Sequence, residues 1–130
     1  VVRVIGDSTF VHSGITGLVE MGYNPPPTGH VVFILDNSTT AMTGAQDPPG
    51  TGYTLDQKPT GKVVYDDLCR SLGISNVHVI DPTQRGGGLE ELVRSCLAKD
   101  ELSVIITRSP CPIMMRKKGA KRQAQCQTTA

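Results

Sequence analysis

Two short acidic and polar strings, Gly6-Asp7-Ser8-Thr9 and Asp36-Asn37-Ser38-Thr39, each stand directly behind a strand-like run, about one βαβ unit apart. The first follows Val1-Val2-Arg3-Val4-Ile5 and the second follows His30-Val31-Val32-Phe33-Ile34-Leu35, with a helix-compatible stretch from Val11 to Met21 between them. That order is a parallel crossover. The carboxyl ends of both strands then share one edge of the sheet, and neighbouring strands are only ~4.8 Å apart. Asp7 and Asn37 are therefore placed to point into one small volume.

The residue types say what such a volume would hold. A carboxylate, an amide oxygen and nearby backbone carbonyls are hard oxygen donors, which suit magnesium or calcium. Magnesium keeps some of its waters and is usually held by one or two protein groups together with the phosphates of a bound molecule. A diphosphate is the natural third party. The helix after Asp7 would aim its N-terminus at the same edge, where unpaired N–H groups and partial positive charge favour phosphate, in the crevice where open α/β sheets place ligands. Taken singly, each string also reads as a turn with an Asp or Ser helix cap.

The string Gly6-Asp7-Ser8-Thr9-Phe10-Val11-His12-Ser13-Gly14, together with Leu35-Asp36-Asn37-Ser38-Thr39-Thr40-Ala41-Met42-Thr43-Gly44-Ala45-Gln46, resembles the thiamine-diphosphate-binding domain of 2-oxoacid:ferredoxin oxidoreductases. The likeness is greatest to the large (alpha) subunit of the indolepyruvate branch and runs from Val1 to about Pro112. It implies a thiamine-diphosphate-binding fold with three layers, a parallel sheet carrying helices on both faces, truncated at its N-terminal side. It implies magnesium ligation by Asp7, Asn37 and the backbone carbonyl of Thr39, with Gly6 and Ser8 flanking the diphosphate. Thr40, Met42, Thr43 and Gln46 become neighbours of the cofactor, within a long Thr-, Gly- and Pro-rich loop between Asn37 and Lys62. The general thiamine-enzyme motif ends its first part in Gly-Asp-Gly, whereas this chain has Ser8 in the last place, a variation that fits the indolepyruvate branch.

The activity implied is oxidative decarboxylation of an aryl 2-oxoacid such as indolepyruvate to an acyl-CoA, with ferredoxin as electron acceptor. Thiamine diphosphate carries the difficult step, and the protein supplies magnesium, orientation and an electron path. The family's other parts are a preceding strand and helices, an upstream thiamine-fold partner domain and an iron-sulfur segment, to which a second subunit is added. The chain begins at Val1 without a methionine, so it reads as an excised fragment, expected to be inactive alone. His12 beside the site reads either as a group that assists proton transfer or holds a substrate carboxylate, or as a first-turn residue with local partners.

The remaining sequence agrees with a doubly wound domain. A 130-residue chain can bury a modest core. Val64, Leu68 and Leu72 make one helical face within Gly61 to Leu72, and Leu89, Leu92, Val93 and Cys96 make another within Leu89 to Ala98. Val77 to Ile80 and Leu102 to Thr107 read as strands, and strands alternating with helices imply a parallel sheet. Gly86-Gly87-Gly88 lacks the Lys-Ser/Thr ending of a phosphate loop and reads as a helix entry. Cys69, Cys96, Cys111 and Cys126 form no CxxC pair, so zinc and cluster ligation are not expected and the thiols read as reduced. His30 and His78 read as structural.

Residues 1–112 are read as the domain and 113–130 as a basic tail or linker, since Arg116, Lys117, Lys118, Lys121 and Arg122 crowd there without interleaved aromatics. Neither nucleic-acid nor membrane binding is expected, because no long apolar run or signal pattern occurs, and the setting reads as cytoplasmic. The alternative function is a non-catalytic α/β module that binds a phosphorylated ligand or a partner subunit. Metal dependence separates the two. The Gly-x-Gly-x-x-Gly turn of a generic dinucleotide binder is absent from Gly6-Asp7-Ser8-Thr9-Phe10-Val11.

Overall fold

The computed structural model describes residues 1–40, 44–84 and 88–116. Four β-branched, apolar runs form the strands β1 (Val2–Gly6), β2 (His30–Asp36), β3 (Asn76–Ile80) and β4 (Leu102–Arg108). All pairings are parallel, in the order β1-β2-β4-β3. Strands β2 and β4 form the centre. β4 is buried at every position except its last, as expected of a strand covered on both faces.

The expected crossover helix begins at Asp7 itself rather than at Val11. A first turn, α1 (Asp7–Thr9), runs into a five-residue π-helical turn, Phe10–Gly14, and then into α2 (Ile15–Tyr23). The backbone stays in the right-handed helical region at the junctions, at Thr9, Phe10, Gly14 and Ile15, so the three segments are one continuous rod. Single π turns of this kind often occur at functional sites. Helix α3 (Tyr65–Ser71) is shorter than its apolar pattern suggested, and α4 (Leu89–Leu97) follows Gly88, whose φ of +58° opens the helix in a left-handed conformation.

Side-chain alternation sends the two faces of the sheet into separate cores. Val32, Ile34, Val104 and Ile106 pack with Phe10, Leu18, Tyr65 and Cys69, beneath the first helical rod and α3. Val31 and Ile105 pack with Cys96 beneath α4. Helices thus lie on both faces, giving the three-layer α/β architecture expected. Cys69 and Cys96 are both fully buried apolar fillers. His78 bonds Asn76, whose amide donates to the buried Ser103 hydroxyl at 2.6 Å, so this histidine belongs to a structural polar network. His30 has a local partner too, the Thr28 carbonyl. On the α4 side the β1 edge is left open, with Val2, Val4 and Leu35 exposed. No helix among the described residues is long and apolar enough to cross a membrane.

The long segment after β2 is ordered by short-range bonds. An antiparallel bridge joins Thr40 to Gln46 and another joins Tyr53 to Pro59. Thr54 N–H donates to Lys58 and Thr60 N–H donates to Gly52, so residues 52–60 fold back as a small hairpin. This excursion stands beside the carboxyl edge of β1 and β2.

Candidate functional site

The sheet edge brings the two polar strings together. Asp7, the first residue of α1, is 3 % exposed. One of its carboxylate oxygens accepts the N–H of Ser8 at 2.7 Å, and the other accepts the N–H of Ser38 at 3.2 Å. The acid behind β1 therefore directly grips the turn behind β2. Its pKa lies above the usual carboxylate value because burial penalises the charge and Asp36 adds repulsion, while the N–H groups of Ser8, Ser38 and Asn37 act in the opposite direction.

Within that turn, the Asn37 side-chain oxygen accepts the N–H of Thr39 at 3.0 Å, an Asx turn. Ser38 sits at φ +58°, a left-handed conformation rare for a non-glycine residue. Thr39 is buried, and its hydroxyl reaches the Gln46 carbonyl at 3.4 Å. Across the gap, the hydroxyls of Ser8 and Thr40 lie 2.9 Å apart and tie the start of the helical rod to the long loop. Gly6, Asp7, Ser8, Asn37, Thr39 and Thr40 thus form one contiguous rim. Met42 and Thr43 lie outside the described residues, as do Gly86, Gly87, Cys126 and the tail beyond Arg116.

A cleft of about 520 Å³ opens beside the rim. Ser8, His12 and Thr40 line one wall, and Pro49, Tyr53 and Leu55 bring apolar surface from the hairpin side. His12 is exposed along this wall, among groups able to bind rather than packed in the core. Gln46 also lines the cleft.

Three residues behind the rim, linked to it through Asp36 and Asp7, had no signal in the sequence. Arg108 donates from Nε to Asp36 at 2.8 Å, directly across the last rung of β2 and β4, and its second nitrogen lies 3.6 Å from Asp66. Tyr65 is 2 % exposed, and its hydroxyl has no hydrogen-bond partner among the described residues. Burial, with the charges of Asp7 and Asp36, pushes its pKa up to about 12, although the Gly50 backbone approaches the hydroxyl without completing a hydrogen bond. A Cβ on Gly50 would run into the Tyr65 ring and hydroxyl. Each of the three depends on strand order or loop path, which local spacing does not encode.

The donor chemistry at the rim is specific. Among the described residues no group of three or more His, Cys, Asp or Glu side chains is placed to hold a metal. What the rim offers a cation is one carboxylate, one amide oxygen and main-chain carbonyls, a set that suits magnesium completed by phosphate and water oxygens. The start of the helical rod lies beside it, an end whose partial positive charge suits a phosphate.

Comparison with known proteins agrees with this chemistry. Residues 1–107 match the family described as thiamine pyrophosphate enzyme, C-terminal TPP binding domain. The chain belongs to that family. It is 39 % identical over 114 residues to indolepyruvate oxidoreductase subunit IorA of Archaeoglobus fulgidus, a match covering 88 % of this chain and 18 % of that protein. The corresponding IorA of Methanothermobacter marburgensis is 35 % identical over 94 % of this chain and 19 % of its own length. That of Thermococcus kodakarensis is 34 % identical over 93 % of this chain and 19 % of its own. The chain therefore spans less than a fifth of the length of these relatives.

Proposed function

We propose that Asp7, Asn37 and the backbone carbonyl of Thr39 hold a magnesium ion that anchors thiamine diphosphate. Gly6 and Ser8 lie against the diphosphate, and Thr40, Met42 and Thr43 lie beside the cofactor. The observation that carries this reading is the Asp7 carboxylate, buried yet bonded at both oxygens to main-chain N–H groups of the two motifs. Burying such a group has a desolvation cost that a cation offsets. The cofactor when bound supplies the electron sink for decarboxylation. The chain's own residues fix the diphosphate end, keep the rim rigid through the Ser8–Thr40 contact, and line the approach to the reacting end with His12.

The larger protein is then an indolepyruvate-type 2-oxoacid:ferredoxin oxidoreductase, converting an aryl 2-oxoacid and coenzyme A to an acyl-CoA and passing electrons through iron-sulfur clusters outside this chain. The likeness to IorA supports the substrate class, and the apolar wall of Pro49, Tyr53 and Leu55 suits an aryl group. A partner thiamine-fold domain and a second subunit complete the assembly. We read its location as cytoplasmic, in keeping with free thiols at Cys69, Cys96 and Cys111. The test is replacement of Asn37 by Ala in the complete subunit. Loss of coenzyme A-dependent 2-oxoacid oxidation, restored in part by excess magnesium, is expected, whereas unchanged activity at limiting magnesium would contradict the ligand set.

A further inference from the structure

The turn that carries Asn37 is not held by Asp7 alone. Ser38 N–H is shared, at 3.2 Å to Asp7 and 3.1 Å to Asp36, and the Asp36 oxygen that takes it also lies 3.4 Å from the Ser38 hydroxyl. The other oxygen of Asp36 receives Arg108 Nε at 2.8 Å. Asp36 is only 7 % exposed, and the Arg108 guanidinium takes the place of water at its second oxygen. The chain leaving β4 adds main-chain grips: Ser109 N–H donates to the Asp36 carbonyl at 3.0 Å, and Cys111 N–H donates to the Asn37 carbonyl at 3.2 Å. Arg108 is itself steadied from the far side by Asp66, which is paired with Arg70 on α3.

Resting on the cofactor reading above, we propose that Arg108 is a positioning residue for the cation site, acting through Asp36 to hold Ser38 in its left-handed conformation and so to aim Asn37 and the Thr39 carbonyl. Arg108 makes no contact with the cation. Its guanidinium matches the geometry: Nε meets one Asp36 oxygen while the terminal nitrogen reaches Asp66, a fork that an ammonium cannot reproduce. With the clamp gone, Asp36 is free to rotate away or face Asp7 unneutralised, and Ser38 N–H loses one of the two carboxylates that share it. A merely structural ion pair would lower stability while leaving cation binding unchanged in the folded fraction.

The experiment uses the complete subunit in its native assembly. Manganese serves as the spectroscopic probe in the presence of thiamine diphosphate, with affinity and hyperfine pattern read by electron paramagnetic resonance and the melting temperature read in parallel. Arg108→Met is expected to weaken manganese binding about tenfold or more, the effect of losing a residue that orients a ligand, and to broaden the bound signal. Arg108→Lys, which returns a charge to Asp36 without the fork, is expected to recover only part of that loss, and Asp66→Asn, which leaves the Arg108–Asp36 contact in place, is expected to stay near wild type. Affinity and line shape unchanged in Arg108→Met would overturn the proposal. If that variant does not fold, Arg108→Gln decides the question by the same criterion. Absence of manganese binding in the wild-type protein would instead overturn the cofactor reading, and the inference with it.

Discussion

Tyr65 shows how closely the core behind the rim is packed. Its ring meets Phe10 edge to face at 6.1 Å, inside the core that carries the first helical rod, while its hydroxyl is stranded near two carboxylates. Removing a buried hydroxyl that has no partner among the described residues relieves a desolvation cost, so Tyr65→Phe is expected to stabilise the fold by about 1 kcal/mol in urea unfolding at neutral pH. The alkaline limb gives an independent check. With the folded pKa near 12 against 10.0 for the free side chain, the unfolded chain loses its proton first, and stability falls as pH rises from 10 towards 12. Tyr65→Phe flattens that fall, and a slope retained in the variant would show that another group causes it. Gly50 is the complementary case, because Tyr65 is buried and has no space to yield to a new Cβ. Gly50→Ala is expected to cost roughly 1–3 kcal/mol by overpacking, seen as a lower urea midpoint.

At the scale of elements, the helical rod behind β1 and the loop behind β2 were legible because their signals are local. The β-branched runs, the intervening apolar stripe and the polar strings all lie within one crossover, so the turns that carry Asp7 and Asn37 meet at one sheet edge, where Asp7 takes the N–H of Ser38. The start of the rod at Asp7 was not legible, since a π-helical turn shifts the apolar period that marks a helix in sequence. Nor was Arg108, since β4 is distant from β2 in the chain and meets it only through the order β1-β2-β4-β3. The ion network it completes has a predictable acid response. Burial opposes ionisation of Asp66, but bonds from its own backbone and Arg70, with the charges of Arg108 and Arg70, hold its carboxyl below the usual value of 3.8. The stability from this depressed pKa is fully present above 3.8 and is lost as pH falls through the lower folded value. Asp66→Asn is expected to flatten the acid limb of stability in that window, and an unchanged limb would assign it to other carboxylates.

For the whole molecule, the open β1 edge and exposed Val2, Val4 and Leu35 describe a sheet with one half of a face uncovered. An exposed apolar edge of this kind is a surface that another element or chain can cover. The 130-residue chain alone is therefore expected to show no 2-oxoacid decarboxylation, and turnover by the purified fragment would contradict a site completed by a second thiamine-fold domain.

The central claim is that this chain supplies the cation and diphosphate anchor of a thiamine-diphosphate enzyme. Calorimetric titration of thiamine diphosphate into the complete subunit, with and without magnesium and alongside Asp7→Ala, tests it most directly. The account predicts binding that requires magnesium and disappears in the variant. Magnesium-independent binding, or binding of equal strength in Asp7→Ala, would place the anchor elsewhere.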